Sequence, residues 1–465
     1  MKVAPTTFDT PMPTSFLIDP ENHTSAQLVK NINSLADIFT NIRAKINDPA
    51  FIDRHRSCNK YFSRNRILTF ENVILFLLNF IKSSLQPELD KFLAIFPGAH
   101  LLQRAVTKAA WSLARRKLKA SAFVELNRYF VLLHSRLFPP KRWHGLDLRA
   151  IDGSTLHLPK TDDVIAEFGE ACQDGQKSAV MARISYVFDP LNKLILDAVI
   201  APYRDDERKM ALKLLPVLRP GDLVLLDAGY PAFWLFAALR AAKIDWCART
   251  RVSSDSIFGV FVASGRRQHI VTLEPHRRAS ADCERLGLSA APFPVRLVRV
   301  DLPDGTVEVL ITSLHNVESY PLEDFASLYF LRWGQEESYK FVKHRVEMAN
   351  WTGRTALSVY QDFHARILGA NLTMVMVGAA QESLDAQKIE AHHPKQVNRS
   401  FALSAMKDNV VRLITATEAG LQQAMIRQIL IVLTKTVEIV RPGRSFPRTK
   451  QFRPPIYHQA YKSCL

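Results

Sequence analysis

At 465 residues, with 47% hydrophobic and 23% charged content, the chain has room for about two to four domains and is too apolar to be disordered. Sixty-one Lys and Arg against 45 Asp and Glu give a net charge of +16, which points to a polyanionic partner, with nucleic acid favoured over an anionic membrane. A membrane span is not expected, because the most apolar run, VILFLLNFI from Val73 to Ile81, falls short of the roughly 18 to 20 residues a bilayer needs.

The N-terminal MKVAPTTFDTPMPTSFLIDP lacks the continuous apolar core of an export signal, so a reducing cytoplasm is the expected setting. Cys58, Cys172, Cys247, Cys283 and Cys464 are scattered without a CxxC pair, which argues against a disulfide framework and a thiolate zinc site. His392-His393 beside Pro394 reads as a loop rather than a metal site. From about Leu28 to Leu137 the chain is rich in helix formers, and two basic stretches, FIDRHRSCNKYFSRNR and ARRKLK, stand ahead of apolar helices. Such helices either lie against DNA phosphates or simply present a solvated basic face.

Near Trp143 the pattern changes. LDLRAIDGSTLHLP, AVMARISYVFDP and NKLILDAVIAPY read as three successive strands separated by turn signals. DDERKMALKLLPVL then reads as a helix, LVLLDAGY as a buried strand, PAFWLFAALRAAK as a helix and IDWCART as a strand, giving the order β-β-β-α-β-α-β. From about Val252 to Leu314 short alternating strands predict a β-rich insertion. A long helix is expected from near Pro321, helical segments continue to about Val440, and the Pro-, Arg- and Lys-rich end reads as an exposed basic tail.

Chemistry gathers outside the carboxyl ends of strands in an open α/β sheet. Asp152 and Asp227 each end a predicted strand, and the inferred order sets those two strands side by side. The third acid lies in YFLRWGQEESYKFVK. At about 100° per residue, Tyr329, Arg332, Glu336 and Lys343 fall at roughly 0°, 300°, 340° and 320°, on one face, which selects Glu336 over Glu337. Taken alone, Arg332, Glu336 and Lys340 also make ordinary i,i+4 ion pairs. Three carboxylates together suit Mg²⁺ or Mn²⁺. Asp147, Asp162, Asp163, Asp205 and Asp206 fit worse, as interior-strand, loop or capping residues.

The spacing Tyr329-x2-Arg332-x3-Glu336-x6-Lys343 resembles the YREK signature of bacterial insertion-sequence transposases of family four, a branch of the DDE transposases. IDGST around Asp152, LLDAGY around Asp227, the insertion before Glu336, the basic N-terminal stretch and VNRSFALSAMKDNVVRLI extend the likeness over nearly the whole chain.

The resemblance implies an α/β, ribonuclease-H-like mixed sheet with the insertion at about 252–316, in a catalytic domain spanning 141–350. An all-helical DNA-binding domain, 1–140, would precede it and a helical C-terminal region with basic tail, 351–465, would follow. Asp152, Asp227 and Glu336 would be both catalytic and metal-binding, with two Mg²⁺ or Mn²⁺ ions. Tyr329, Arg332 and Lys343 would contact DNA, and Trp333 either stacks on an unpaired base or is a packed core aromatic. The implied activity is metal-dependent cleavage of element ends and their joining to target DNA, by a homodimer in the DNA complex, at the nucleoid. The alternatives are an inactive, transposase-derived DNA-binding protein and a ribonuclease-H-like nuclease without strand transfer.

Overall fold

The computed structural model describes residues 20–64, 66–96, 105–171, 179–302, 305–387, 393–441 and 462. Cys172, Cys464, His392 and nearly all of the basic tail lie outside them. Among the described residues six helices lead into the sheet, the ones used below being α1 (Pro20–Ile46), α2 (Phe70–Leu78) and α3 (Ser121–Leu137). α2 carries the most apolar run and starts where the Thr69 side chain accepts a hydrogen bond from the Asn72 N–H, so that one of the helix's free donors is satisfied. It stops at Asn79, whose side chain donates to the Asp408 carboxylate at 2.8 Å.

The strands are β1 (Asp147–His157), β2 (Glu170–Ala171), β3 (Ala179–Asp189), β4 (Leu194–Pro202), β5 (Asp222–Leu226), β6 (Asp245–Arg249), β7 (Gln268–Leu273), β8 (Phe293–Asp301) and β9 (Val307–Thr312). They form one mixed sheet in the order β2-β3-β1-β5-β6-β9-β8-β7, with β4 also on β3. β1 pairs antiparallel with β3 and parallel with β5, and β5 pairs parallel with β6. The two strands expected to be neighbours, β1 and β5, are neighbours. The β-rich insertion does not stand apart, because β9 pairs antiparallel with β6 and carries β8 and β7 onto the same sheet.

Crossover connections between parallel strands need helices on the faces. Helix α4 (Glu207–Leu214) precedes β5 and α5 (Phe233–Ala241) links β5 to β6. They cover one face through Leu214, Phe236 and Leu239 against Val224, Leu226 and Trp246. The other face, with Leu148, Ala150, Leu223 and Leu225, is covered by Phe325, Leu328 and Tyr329 of α6 (Asp324–Phe330).

The long helix expected from Pro321 is broken into α6 and α7 (Trp333–Lys340), followed by a π-helical turn, Phe341–Arg345. Between α6 and α7 the bonds tighten to three-residue spacing, Arg332 N to Tyr329 O and Gln335 N to Arg332 O. Beyond it run α8 (Ala356–Asp385), α9 (Arg399–Met406) and α10 (Ala419–Lys435). α8 is long and apolar enough to cross a membrane, but it is a core helix here, sharing one hydrophobic cluster with α1, α2, α3 and α10. N- and C-terminal helices thus pack around each other.

Candidate active site

The register explains where the acids stand. Ile151 of β1 is level with Leu226 of β5, and Leu226 with Ala248 of β6. These are the last parallel pairs, so the next residues, Asp152, Asp227 and Arg249, emerge abreast at the carboxyl edge. The expectation that Asp152 ends its strand needs correction, because β1 continues to His157 against β3. What ends at Asp152 is the pairing with β5, and the fork opens a crevice on that side.

The Asp152 backbone is pinned. Its carbonyl accepts from Tyr339 Oη at 2.7 Å and Ser185 Oγ at 2.9 Å, and its carboxylate accepts from the Gly153 N–H at 2.8 Å. Burial, with the charges of Asp227 and Glu207, outweighs the Gly153 bond and the Arg332 guanidinium and pushes the Asp152 carboxyl up to about 6. Gly153 admits Glu207 at close quarters, since a Cβ there would lie 2.6 Å from Glu207 Cδ. Glu207 starts α4, whose cap is Asp206, and accepts a hydrogen bond from Arg183.

α7 is held over this edge by Gln335, which donates to the Tyr186 carbonyl at 3.0 Å, and by the Tyr186–Ser338 hydroxyl contact at 3.0 Å. That attachment carries Arg332 and Glu336 inward. Arg332 is only 2% exposed. Its Nη2 donates to Glu336 Oε1 at 3.2 Å, while Nη1 stands 3.8 Å from Asp152 Oδ2. The guanidinium lies over the rings of Tyr329 and Trp333, at 5.6 and 5.3 Å. Burial alone would weaken its charge, but Tyr329, Asp227, Asp152 and Glu336 reverse that and push the guanidinium up. Nε and Nη1 nevertheless have no hydrogen-bond acceptor.

The remaining signature residues surround the same edge. Tyr329 Oη donates to the Leu226 carbonyl at 3.4 Å, one residue before Asp227. Lys343 Nζ donates to Ser154 Oγ at 3.2 Å, and burial pushes its ammonium below its ordinary value. Trp333 is half-buried, with its ring 5.3 Å from the Arg332 guanidinium. Lys340 bonds Glu337 rather than Glu336, so the i,i+4 pair on that side does not form. Asp227 binds Arg249 Nη2 at 2.9 Å, and Arg249 also holds Glu308 at 2.7 Å. The weaker acid candidates have other work: Asp206 caps α4, Asp163 accepts from the Ala356 N–H and Asp147 pairs with Arg142.

The chain-order reading did not single out Arg249, Glu207 or Tyr339. Arg249 was within reach of the same logic, since IDWCART holds the third parallel strand and Arg249 follows the last pair, Leu226–Ala248. Among the described residues no three His, Cys, Asp or Glu side chains converge closely enough to hold an ion as they stand. The carboxylates are instead drawn onto Arg332 and Arg249.

Residues 143–372 match a family model described as the transposase DDE domain. The chain is 24% identical over 359 residues to the transposase InsG of insertion sequence element IS4 from Escherichia coli K12, covering 75% of this chain and 77% of that protein. InsZ of the same organism is 30% identical over 87 residues, 18% of this chain and 29% of InsZ. Among solved structures, the piggyBac transposase synaptic complex with hairpin DNA aligns over 90% of this chain and 88% of its own at 11% identity, with a TM-score of 0.41.

Proposed function

The chain belongs to the DDE transposases, of the insertion-sequence family four type, and on that premise we propose that Asp152, Asp227 and Glu336 are the acids with which it cuts and joins DNA. One observation supports this reading: Asp152 and Asp227 are the first residues past the last parallel pair, Ile151–Leu226, and Arg332 on the overlying helix bonds Glu336 while standing 3.8 Å from Asp152.

The donor set fits a hard divalent cation. All three groups offer oxygen only, as Mg²⁺ and Mn²⁺ prefer. Asp152 is raised partly by the charge of Asp227, the mark of like charges gathered where a cation would relieve them. Asp152, Asp227 and Glu336 would hold two such ions once Glu336 releases Arg332 and Asp227 releases Arg249. When bound, the ions supply charge neutralisation at the phosphate and a more acidic attacking hydroxyl.

The chain's own residues do the positioning. Arg332 has two donors without acceptors in the fork geometry that matches a phosphate. Lys343 offers a point charge beside Ser154, and Tyr329 and Trp333 hold the guanidinium flat. In the first step a water oxygen bonds to phosphorus and the P–O3′ bond breaks, leaving a 3′-hydroxyl on the element end. In the second that hydroxyl attacks a target phosphodiester and a target 3′-oxygen leaves.

The basic N-terminal helices support a DNA-binding role for residues 1–140. Ser57 N donates to the Lys117 carbonyl at 2.9 Å and Lys119 N to the His55 carbonyl at 2.8 Å, so the two basic stretches lie side by side, with Lys60, Arg64, Arg66, Arg116 and Lys119 exposed. Residues 141–350 carry the chemistry, 351–465 buttress it, and the active species is a homodimer on DNA, at the nucleoid in the cytoplasm.

The test is cleavage of a labelled duplex bearing the DNA ends that flank the coding region, with Mg²⁺ or EDTA, for the parent and Glu336→Ala. Nicking that requires both metal and Glu336 is expected. Cutting that survives Asp152→Ala, Asp227→Ala and Glu336→Ala together would sink the assignment.

A further inference from the structure

Past Lys343 the backbone does something unusual. Phe341–Arg345 winds as a π-helix, a rare geometry that concentrates at functional sites, and Glu347 follows at a φ of 57°. Consecutive side chains on a helical turn point in different directions. Lys343 is directed at Ser154, while His344 and Arg345 are exposed on the wall of a cleft of about 310 Å³. The other walls come from far along the chain: Lys82 beyond α2, and Ser400, Ser404 and Lys407 at α9.

The charges in the cleft do not cancel. Glu347 is engaged by Lys82 Nζ at 3.1 Å and by Asn350 Nδ2 at 2.9 Å. Lys82 also donates to the Arg345 carbonyl at 3.0 Å, and Lys407 bonds the buried Glu88 at 2.8 Å. The Arg345 guanidinium and the His344 ring have no carboxylate partner among the described residues. Lys82 and Lys407 are thus each paired with a carboxylate, and the Arg345 guanidinium and the His344 ring are the basic groups left to the cleft.

We propose that this cleft holds backbone phosphates of the DNA strand that runs on from Lys343. The proposal rests on the reading above, in which Lys343 contacts DNA. Two residues of chain span at most about 7 Å, and successive phosphates of one strand advance about 3.4 Å along the helix axis. A strand gripped at Lys343 thus brings its next phosphates to Arg345. Ser404 Oγ donates to the Ser400 carbonyl at 3.4 Å, which leaves the Ser400 hydroxyl as the neutral donor on the opposite wall, and recognition is of the backbone and not of base sequence.

Binding and cutting are measured separately. The affinity of the parent for the end duplex is followed by fluorescence anisotropy over a salt series, beside His344→Ala/Arg345→Ala and Ser404→Asp. All three positions are exposed and replaceable without disturbing the core. The double variant is expected to lose about tenfold in affinity and to reduce the salt slope by about one to two. Ser404→Asp, from the opposite wall, weakens binding in the same direction, and Arg427→Ala, exposed on α10, stays within about twofold. Inorganic phosphate competes only weakly if the ligand is a strand. Unchanged duplex affinity and slope in both cleft variants, including a case where phosphate alone binds through Arg345, would overturn the proposal. Arg345-dependent duplex binding without any cutting leaves the cleft standing and removes the transposase chemistry, whereas cutting with cleft-independent binding does the reverse. A parent that does not bind the duplex refutes both.

Discussion

Arg115 and Arg332 are both buried beside carboxylates, and they are built to opposite ends. Arg115 donates through Nε to Gln361 at 2.9 Å, through Nη1 to Thr352 at 2.8 Å and through Nη2 to Asp362 at 2.9 Å. Asp362 in turn accepts from the Thr352 N–H and hydroxyl. That network is closed. Arg332, as deeply buried, makes one carboxylate bond and leaves Nε and Nη1 without acceptors. A buried donor left unmade costs on the order of 1 to 3 kcal/mol, so the second site carries a cost the first avoids. The difference separates a group whose bonds are all made within the fold from one with donors left open.

Breaking the closed network should have the largest effect. Asp362→Ala strands the Arg115 charge in the core between α8 and the N-terminal helices and is expected to lower stability by about 3 to 5 kcal/mol, read as the midpoint of urea unfolding. Arg332→Lys, at the open site, keeps the charge and removes the fork. We expect end cleavage to fall by about 100-fold, with the unfolding midpoint little changed. If Arg332→Lys instead unfolds the protein as Asp362→Ala does, the two arginines are alike and the contrast is false.

Protons sharpen the same contrast, with opposite signs. Burial, with the Arg128 charge, pushes the His364 imidazole on α8 down to about 4. Its contribution is complete above the unfolded value of about 6.5 and is lost as pH falls through 4. Asp152, held up at about 6, is ionised at neutral pH at some cost, and stability is regained as pH falls from 6 towards 3.8. Each shift is worth about 1 to 3 kcal/mol. In EDTA, between pH 7.5 and 4.5, His364→Gln should flatten the acid loss of stability. Asp152→Asn should be more stable than the parent at pH 7.5, with the gap closing as pH falls. A gap that persists at pH 4.5 would show that the Asp152 charge is not its source.

Local features were legible in the sequence, and tertiary ones were not. Strand-then-acid patterns at Asp152 and Asp227, and the spacing of Tyr329, Arg332, Glu336 and Lys343, are properties of short stretches, and Arg332 does stand between Glu336 and Asp152. The π-turn at Phe341–Arg345 was hidden because the groups it bonds lie elsewhere in the chain, Ser154 for Lys343 and Lys82 for the Arg345 carbonyl. The insertion read as a separate β-rich unit because alternation reveals strands but not their partners, and only the Arg249–Leu310 and Cys247–Thr312 register shows β9 extending the sheet. Glu207 was readable only as a residue at a helix start. Its nearness to Asp152 depends on a glycine from another element.

That glycine gives the smallest effect. Glu207 touches the open site only because Gly153 has no side chain, and Arg183 fixes its carboxylate there. A methyl at 153 meets Glu207 Cγ and Cδ at 2.8 and 2.6 Å, but those atoms are the far end of a flexible side chain, so the carboxylate swings aside at the cost of its Arg183 pair. Gly153→Ala is therefore expected to cost about 1 kcal/mol, near the low end for overpacking, and Gly153→Ala/Glu207→Ala should recover most of it. The same displacement takes one negative charge away from Asp152, which lowers its proton affinity and shifts its stability window towards lower pH. Failure of the double variant to recover stability would mean that the strand backbone at Gly153, and not the Glu207 side chain, sets the shape of the crevice.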